Sequence, residues 1–84
     1  MKREISIVGV GVHKAGTSKT GRAYDFTEVS ISYDDTRFEG HHAETLNVPA
    51  EVLEGRIPRP GDIWVVEMYQ QNYQTKIACI YGEY

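Results

Sequence analysis

Two apolar runs in this chain change phase halfway, and this pattern limits the folds that the chain can adopt. In residues 4–12, isoleucines occupy one alternating phase and valines the other, with Gly9 and Gly11 beside the change. Residues 24–33 repeat the pattern, with the change at 27–28. Successive side chains of a strand point to opposite faces, so each strand turns one half toward a core and the other half outward. Such bulged or coiled strands let a small sheet bend toward a barrel.

The composition also favours strands over helices. Of the 84 residues, 21 are Ile, Val or Thr and 2 are Leu, and β-branched side chains suit a pleated surface. A chain of this length forms a single domain, residues 1–84, and buries only about 60% of its unfolded surface. Because the core is small, self-association is one way to bury more surface.

Turn and breaker signals divide the chain into three strands, a helical turn and two further strands. The predicted strands cover residues 4–12, 24–33, 37–48, 63–69 and 73–81. The third is polar enough to be an edge strand. Trp64 lies in the most continuously apolar strand and is predicted to be core. Tyr33, Phe38, Tyr69 and Tyr81 can face the core, a ligand or a partner.

The connecting segments have distinct signals. The ten residues 13–22 are polar, cationic and glycine-containing, and we interpret them as a mobile loop. Residues 34–36 and 70–72 are predicted turns, and residues 49–54 a short helix that Gly55 stops. This order fits a five-stranded Greek-key barrel of oligonucleotide-binding type, as well as a small sandwich or an SH3-like barrel.

Positive charge is concentrated near the N-terminus. The formal net charge is −3, but residues 1–22 carry +4 and residues 23–84 carry −7. The single cysteine, Cys79, excludes an internal disulfide, and we find neither a signal-peptide pattern nor an apolar run of membrane-spanning length. We therefore expect a reducing, cytoplasmic location without membrane attachment.

Three cations are followed at once by two aromatic residues, namely Lys14, Lys19, Arg22, Tyr24 and Phe26. Single-stranded nucleic acid needs this combination, because positive charge neutralises its phosphates and flat apolar rings stack on its bases. A spacing of two places both rings on one face of a strand, with centres about 7 Å apart. The alternative is that both rings belong to the core and that the cations only solubilise a loop.

The stretch SKTGRAYDFTE at residues 18–28, followed by PGDIWVV at residues 60–66, resembles the single-stranded-DNA-binding (helix-destabilising) proteins of filamentous bacteriophages. The resemblance spans residues 5–81, and its specific part is about a dozen central positions. It implies an oligonucleotide-binding-type barrel, a two-fold homodimer and cooperative coating of single strands in DNA replication with little sequence preference.

The resemblance also implies roles for individual residues. Lys14 and Lys19 match basic residues of the family's DNA-binding loop, and Tyr24 matches its stacking tyrosine. Phe26 matches the adjacent apolar residue. Tyr73, at the tip of the last hairpin, matches an aromatic residue that stacks on DNA held by the partner, and Lys76 matches a basic residue on the returning strand. The acidic composition implies weaker or more salt-sensitive binding than in the family.

Other functions have less support in the sequence. His13, His41 and His42 offer metal-ligand chemistry, but adjacent His41 and His42 point to opposite faces of a strand, so we expect no metal site. No catalytic motif occurs, and we expect neither an enzyme nor a cofactor. The main alternative is a dimeric β-barrel adaptor whose acidic residues 23–84 bind a basic protein partner. A small metal-dependent enzyme is a third and weaker alternative.

Overall fold

The computed structural model describes residues 2–34 and 39–83, which form one five-stranded antiparallel sheet and one short helix. In chain order the elements are β1 (Lys2–Thr17), β2 (Ala23–Asp34), β3 (His41–Pro49), α1 (Ala50–Leu53), β4 (Ile63–Gln71) and β5 (Gln74–Glu83). The strands lie in the order β3-β2-β1-β4-β5, so β3 is an edge strand as predicted. The predicted all-β fold is confirmed.

β1 is shared by the two halves of the sheet. Residues 2–6 pair with residues 63–67 of β4, and residues 6–17 pair with β2. The β1–β2 register shifts after Ile7 and again after Val10, which confirms the predicted bulge in this strand. Bulges bend a strand and increase its twist, so β1 can follow one neighbour and then leave it for the other.

The core lies on one face of the sheet and contains the predicted Trp64. Trp64 is fully buried and lies opposite Ile5 across the β1–β4 ladder. Val29 and Ile31 of β2 are also fully buried, and Leu53 of α1 packs onto the same cluster. Of the four aromatic residues left open by the sequence, Tyr33 is buried, Tyr69 and Tyr81 are exposed, and Phe38 lies outside the described residues.

The predicted ten-residue mobile loop is wrong. Residues 13–17 continue β1 and pair with residues 23–27 of β2, so only residues 18–22 connect the strands. The connection is itself hydrogen-bonded: the Ser18 amide donates to the Arg22 carbonyl (2.7 Å) and the Gly21 amide donates to the Ser18 carbonyl (2.9 Å). We call residues 13–27 the arm. Its side chains alternate between two solvent-facing sides, so it lacks the apolar alternation by which strands are predicted.

Two further boundaries differ from the sequence prediction. Gln70 and Gln71 belong to β4, and the turn consists of Asn72 and Tyr73, whose φ angles are 51° and 63°. Positive φ at both central residues is typical of a type I′ hairpin turn. The short helix is confirmed, and Glu54 and Gly55 end it in the left-handed region. Of the predicted turn at 34–36, Asp34 ends β2 and the rest lies outside the described residues, as do positions 37–38 of the predicted third strand.

The two sheet edges approach each other through side chains. The Thr75 hydroxyl of β5 donates a hydrogen bond to a Glu44 carboxylate oxygen of β3 (2.9 Å), and α1 lies against β5 and β3. No ladder joins β3 to β5 within the described ranges. The closed oligonucleotide-binding-type barrel therefore stays a prediction.

Candidate nucleic-acid interface

Tyr24 and Phe26 form a neighbouring aromatic pair on the arm. Their ring centroids are 5.9 Å apart and their planes are inclined by 35°. The Tyr24 side chain is 42% exposed, Phe26 is half-buried, and neither belongs to the core cluster. Both side chains point away from the face that carries buried Val29, because each residue is an odd number of positions from Val29 along the strand. The pair presents flat apolar surface to solvent, which excludes the core interpretation for Tyr24.

Backbone pairing positions each ring. Gly16 of β1 is opposite Tyr24, and Lys14 is opposite Phe26, which in turn pairs with Pro49 of β3. A Cβ atom added to Gly16 would lie 3.0 Å from the Tyr24 hydroxyl oxygen and 3.2 Å from its Cζ. The Tyr24 ring therefore occupies the space that a side chain at position 16 would need.

The three predicted cations lie on the same hairpin as the rings. Lys14 is in β1, and Lys19 and Arg22 are in the connection of residues 18–22, all exposed. The Ser18 hydroxyl accepts a hydrogen bond from the Arg22 amide (3.2 Å) and is hydrogen-bonded to the Thr20 hydroxyl (2.9 Å). Lys19 and Arg22 are thus carried by a hydrogen-bonded turn and Lys14 by a strand, rather than by one mobile loop.

His13 and Asp25 occupy the other face of the arm. His13 Nε2 is hydrogen-bonded to Asp25 Oδ1 across the β1–β2 ladder. Strand alternation directs these side chains away from Tyr24 and Phe26. The Asp25 carboxylate, the nearest acid to Tyr24 in sequence, is therefore engaged on the opposite face.

Two open grooves lie beside the aromatic pair. A groove of about 230 Å³ is lined by residues of β2 and of the β3–α1 junction: Ala23, Tyr24, Asp25, Phe26, Pro49 and Glu51. A second, of about 490 Å³, lies between that junction and the β4–β5 hairpin. Pro49 and Glu51 line both, so the grooves are adjacent.

The remaining predicted residues are on a different hairpin. Tyr73 is fully exposed at the β4–β5 turn, and Lys76 is half-buried opposite Tyr69. Lys76 and Tyr69 both line the larger groove, so Tyr69 is a candidate that the sequence left undecided. Among the described residues, no ring contact or hydrogen bond joins Tyr73 to the arm. The structure thus groups five of the seven predicted residues on the arm and separates Tyr73 and Lys76 from them.

Each histidine lies beside a carboxylate of the described residues. Besides the His13 pair, His41 Nδ1 lies 2.9 Å from Asp34 Oδ1, and His42 Nε2 lies 3.4 Å from Glu44 Oε1. Across residues 2–34 and 39–83, no three His, Cys, Asp or Glu side chains form a group suited to a metal ion. The three histidines thus lie beside three different acids.

Glu44 is the centre of a polar cluster between the sheet edges. Its carboxylate accepts hydrogen bonds from the hydroxyls of Tyr33 (2.9 Å) and Thr75 (2.9 Å), and Thr75 accepts one from Gln70 Nε2 (2.7 Å). Partial burial raises the pKa of Glu44, but the hydrogen bonds and nearby His42 outweigh it and leave the pKa below the ordinary 4.5. The carboxylate is thus held in its charged form.

Comparisons with known proteins identify no relative of this chain. No protein-family model matches the chain, and no curated protein or solved structure is significantly similar to it. Within the part of the chain that the structure describes, no helix has both the length and the apolar character that crossing a bilayer requires.

Proposed function

We propose that this protein binds single-stranded nucleic acid, with single-stranded DNA as the expected ligand, and has no catalytic activity. The observation that carries the proposal is the solvent-facing Tyr24–Phe26 pair on an arm that also bears three exposed cations. Stacked bases would lie on the rings, and phosphates would contact Lys14, Lys19 and Arg22. Stacking accepts every base because each has a flat face, so sequence preference is weak.

A homodimer forms part of this proposal. Tyr73 is fully exposed on a hairpin separate from the arm, and the family resemblance gives such a residue a role on the partner's strand. In a two-fold dimer, Tyr73 and Lys76 of each protomer would extend the partner's arm surface. A cytoplasmic location goes with this role.

Titration of labelled oligo-dT at several salt concentrations tests the electrostatic part. Each phosphate neutralised on a single strand contributes about −0.7 to the slope of the logarithm of the association constant against the logarithm of the salt concentration. If two or three phosphates are neutralised per protomer, we expect a slope of about −1.4 to −2. A modest slope is expected of a chain with a net charge of −3.

Two substitutions separate stacking from charge. Tyr24→Ala should lower the affinity by about 1–3 kcal/mol with little change in slope. Lys19→Ala should weaken binding and make the slope shallower by about 0.7. The matched controls are Tyr81→Ala and Arg59→Ala, which remove an exposed ring and an exposed cation away from the arm and should leave binding unchanged.

The double variant Tyr24→Ala, Lys19→Ala gives the decisive outcome. Unchanged oligo-dT affinity in a folded double variant would show that the arm does not bind the strand. If the native protein binds no oligonucleotide, the proposal fails, and an adaptor that binds a basic protein through its acidic residues becomes the better hypothesis.

A further inference from the structure

The smaller groove beside the aromatic pair has a rim that accepts hydrogen bonds and carries no cation. Its lining includes Tyr24, Phe26, Pro49 and the exposed acid Glu51. Asp25 also lines it, but its carboxylate is hydrogen-bonded to His13 on the other face of the arm. Phosphate is repelled from such a surface, whereas a neutral base can lie on the rings with its edge toward the rim. If the proposed function holds, bases enter this groove and phosphates stay with the arm cations.

Glu51 is the acid that is available to a base. Asp25 is hydrogen-bonded to His13, whereas the exposed Glu51 carboxylate has no hydrogen-bond or ion-pair partner within the described residues. It lies in the first turn of α1, directly after the Pro49–Ala50 junction, and lines both grooves. A base stacked on Tyr24 or Phe26 therefore shares a groove with this carboxylate.

A carboxylate distinguishes bases by the donors that they offer. Ionised Glu can only accept hydrogen bonds. The exocyclic amino groups of cytosine and adenine donate, and Glu and Asp accept from cytosine N4, whereas thymine and uracil present the O4 acceptor at the corresponding position. Opposed acceptors repel each other, so a stacked thymine or uracil would lose affinity beside Glu51.

We propose that Glu51 is a specificity-determining residue that makes this groove prefer bases with an exocyclic amino group over thymine and uracil. The inference rests on the proposed function and deepens it, because it adds a base-edge contact to stacking that is otherwise indifferent to sequence. It concerns the hydrogen-bonding edge of the base and leaves the role of the arm cations unchanged.

Oligo-dC and oligo-dU of equal length are the appropriate probes, since the two pyrimidines have the same ring size and differ at the amino or carbonyl edge. Titrations at mildly alkaline pH keep cytosine unprotonated. We expect the native protein to bind oligo-dC about fivefold more tightly, the lower end of what a good base contact discriminates, because Glu51 is exposed. Glu51→Gln should reduce this ratio to about one, since an amide both donates and accepts.

Glu54→Gln is the matched control. It removes the same charge from an exposed position three residues away that lines neither groove, so it should keep the native ratio. Equal affinity of the native protein for both oligonucleotides, or a ratio that Glu51→Gln does not change, overturns the inference and leaves the proposed function standing. If Glu51→Gln raises the affinity for oligo-dC and oligo-dU equally, Glu51 acts only by charge repulsion, and this result also overturns the inference. If neither probe binds, the proposed function fails and this inference fails with it.

Discussion

Tyr24 keeps its position because the residue opposite it on β1 has no side chain. A Cβ at position 16 would press on the hydroxyl and on Cζ of the ring, whereas a Cβ at Gly9 would make an ordinary 3.6 Å contact with Ser30 Cβ. We therefore expect Gly16→Ala to displace the ring and to lower oligo-dT affinity severalfold, and Gly9→Ala to leave affinity unchanged. Fluorescence titration of both variants measures this difference.

The free energy of unfolding is the internal control for the variants Gly16→Ala and Gly9→Ala. Alanine is favoured over glycine within a strand by about 0.5–1 kcal/mol, so neither variant should unfold more easily than the native protein in urea. Native oligo-dT affinity in Gly16→Ala would mean that the ring position over β1 is unimportant for binding.

Individual site residues were predictable to different degrees. Alternation along one strand is sufficient to place Tyr24 and Phe26 on the same face. Glu51 and Tyr69 could not be assigned in this way, because their roles depend on where α1 and the β4–β5 hairpin pack against the sheet. That packing involves contacts between distant parts of the chain, which periodicity does not report.

At the scale of elements, the arm shows why polar strands are not predicted from sequence patterns. Strand prediction relies on a buried face, and the arm has no buried residue, since residues 13–17 and 19–25 are exposed and the rest are half-buried. Its glycines and hydroxyl residues are typical of loops. The arm is nevertheless a strand pair because its backbone groups satisfy one another across the ladder, which needs no apolar side chain. The succession of three strands, a short helix and two strands along the chain was predicted correctly because each element has local signals.

The Glu44 cluster links two edge strands and makes their contact depend on pH. The folded-state pKa of Glu44 is lowered, so its hydrogen bonds contribute stability above the ordinary carboxyl pKa of 4.5. This contribution is lost as the pH falls through the lower folded-state pKa. We expect the free energy of unfolding, measured in urea, to decrease from pH 7 toward pH 3.

Glu44→Gln tests whether this carboxylate is responsible. The variant should be less stable at neutral pH, because the neutral amide is a weaker acceptor for the Tyr33 and Thr75 hydroxyls, and its stability should fall less on acidification. Glu28→Gln is a suitable control because Glu28 is exposed outside the cluster. An identical loss of stability with pH in the native protein and in Glu44→Gln would assign the effect to other acids.

At the scale of the whole molecule, the predicted dimer assigns the β4–β5 hairpin to the interface. Tyr73 presents its entire ring to solvent at the tip of that hairpin. We expect sedimentation equilibrium to show a dimer at micromolar concentrations for both the native protein and Tyr73→Ser. Tyr73→Ser should instead lower oligo-dT affinity by about 1–3 kcal/mol, because the ring stacks on DNA held by the partner.

Val12→Lys provides the comparison for this experiment. Val12 is 60% exposed on β1 and distant in sequence from the hairpin, so its substitution should leave the dimer intact. A monomeric native protein would remove the dimer and the cross-protomer role of Tyr73. Dissociation by Val12→Lys would place the dimer contact on β1, and dissociation by Tyr73→Ser would make the ring a contact between protomers rather than with DNA.

The central position of β1 governs the order in which the sheet can be completed on the ribosome. β1, β2 and β3 are consecutive hairpin neighbours and can pair as soon as they are synthesised, but Ile5 of β1 must wait for Trp64, nearly sixty positions later. Joining such distant residues requires closing a long loop, which is slow. Until that happens, the nascent chain has a finished arm beside an uncovered apolar half-strand. We therefore expect the β1–β4 ladder to form last and to set the folding rate, so that the nascent protein is most prone to aggregate before its last two strands emerge.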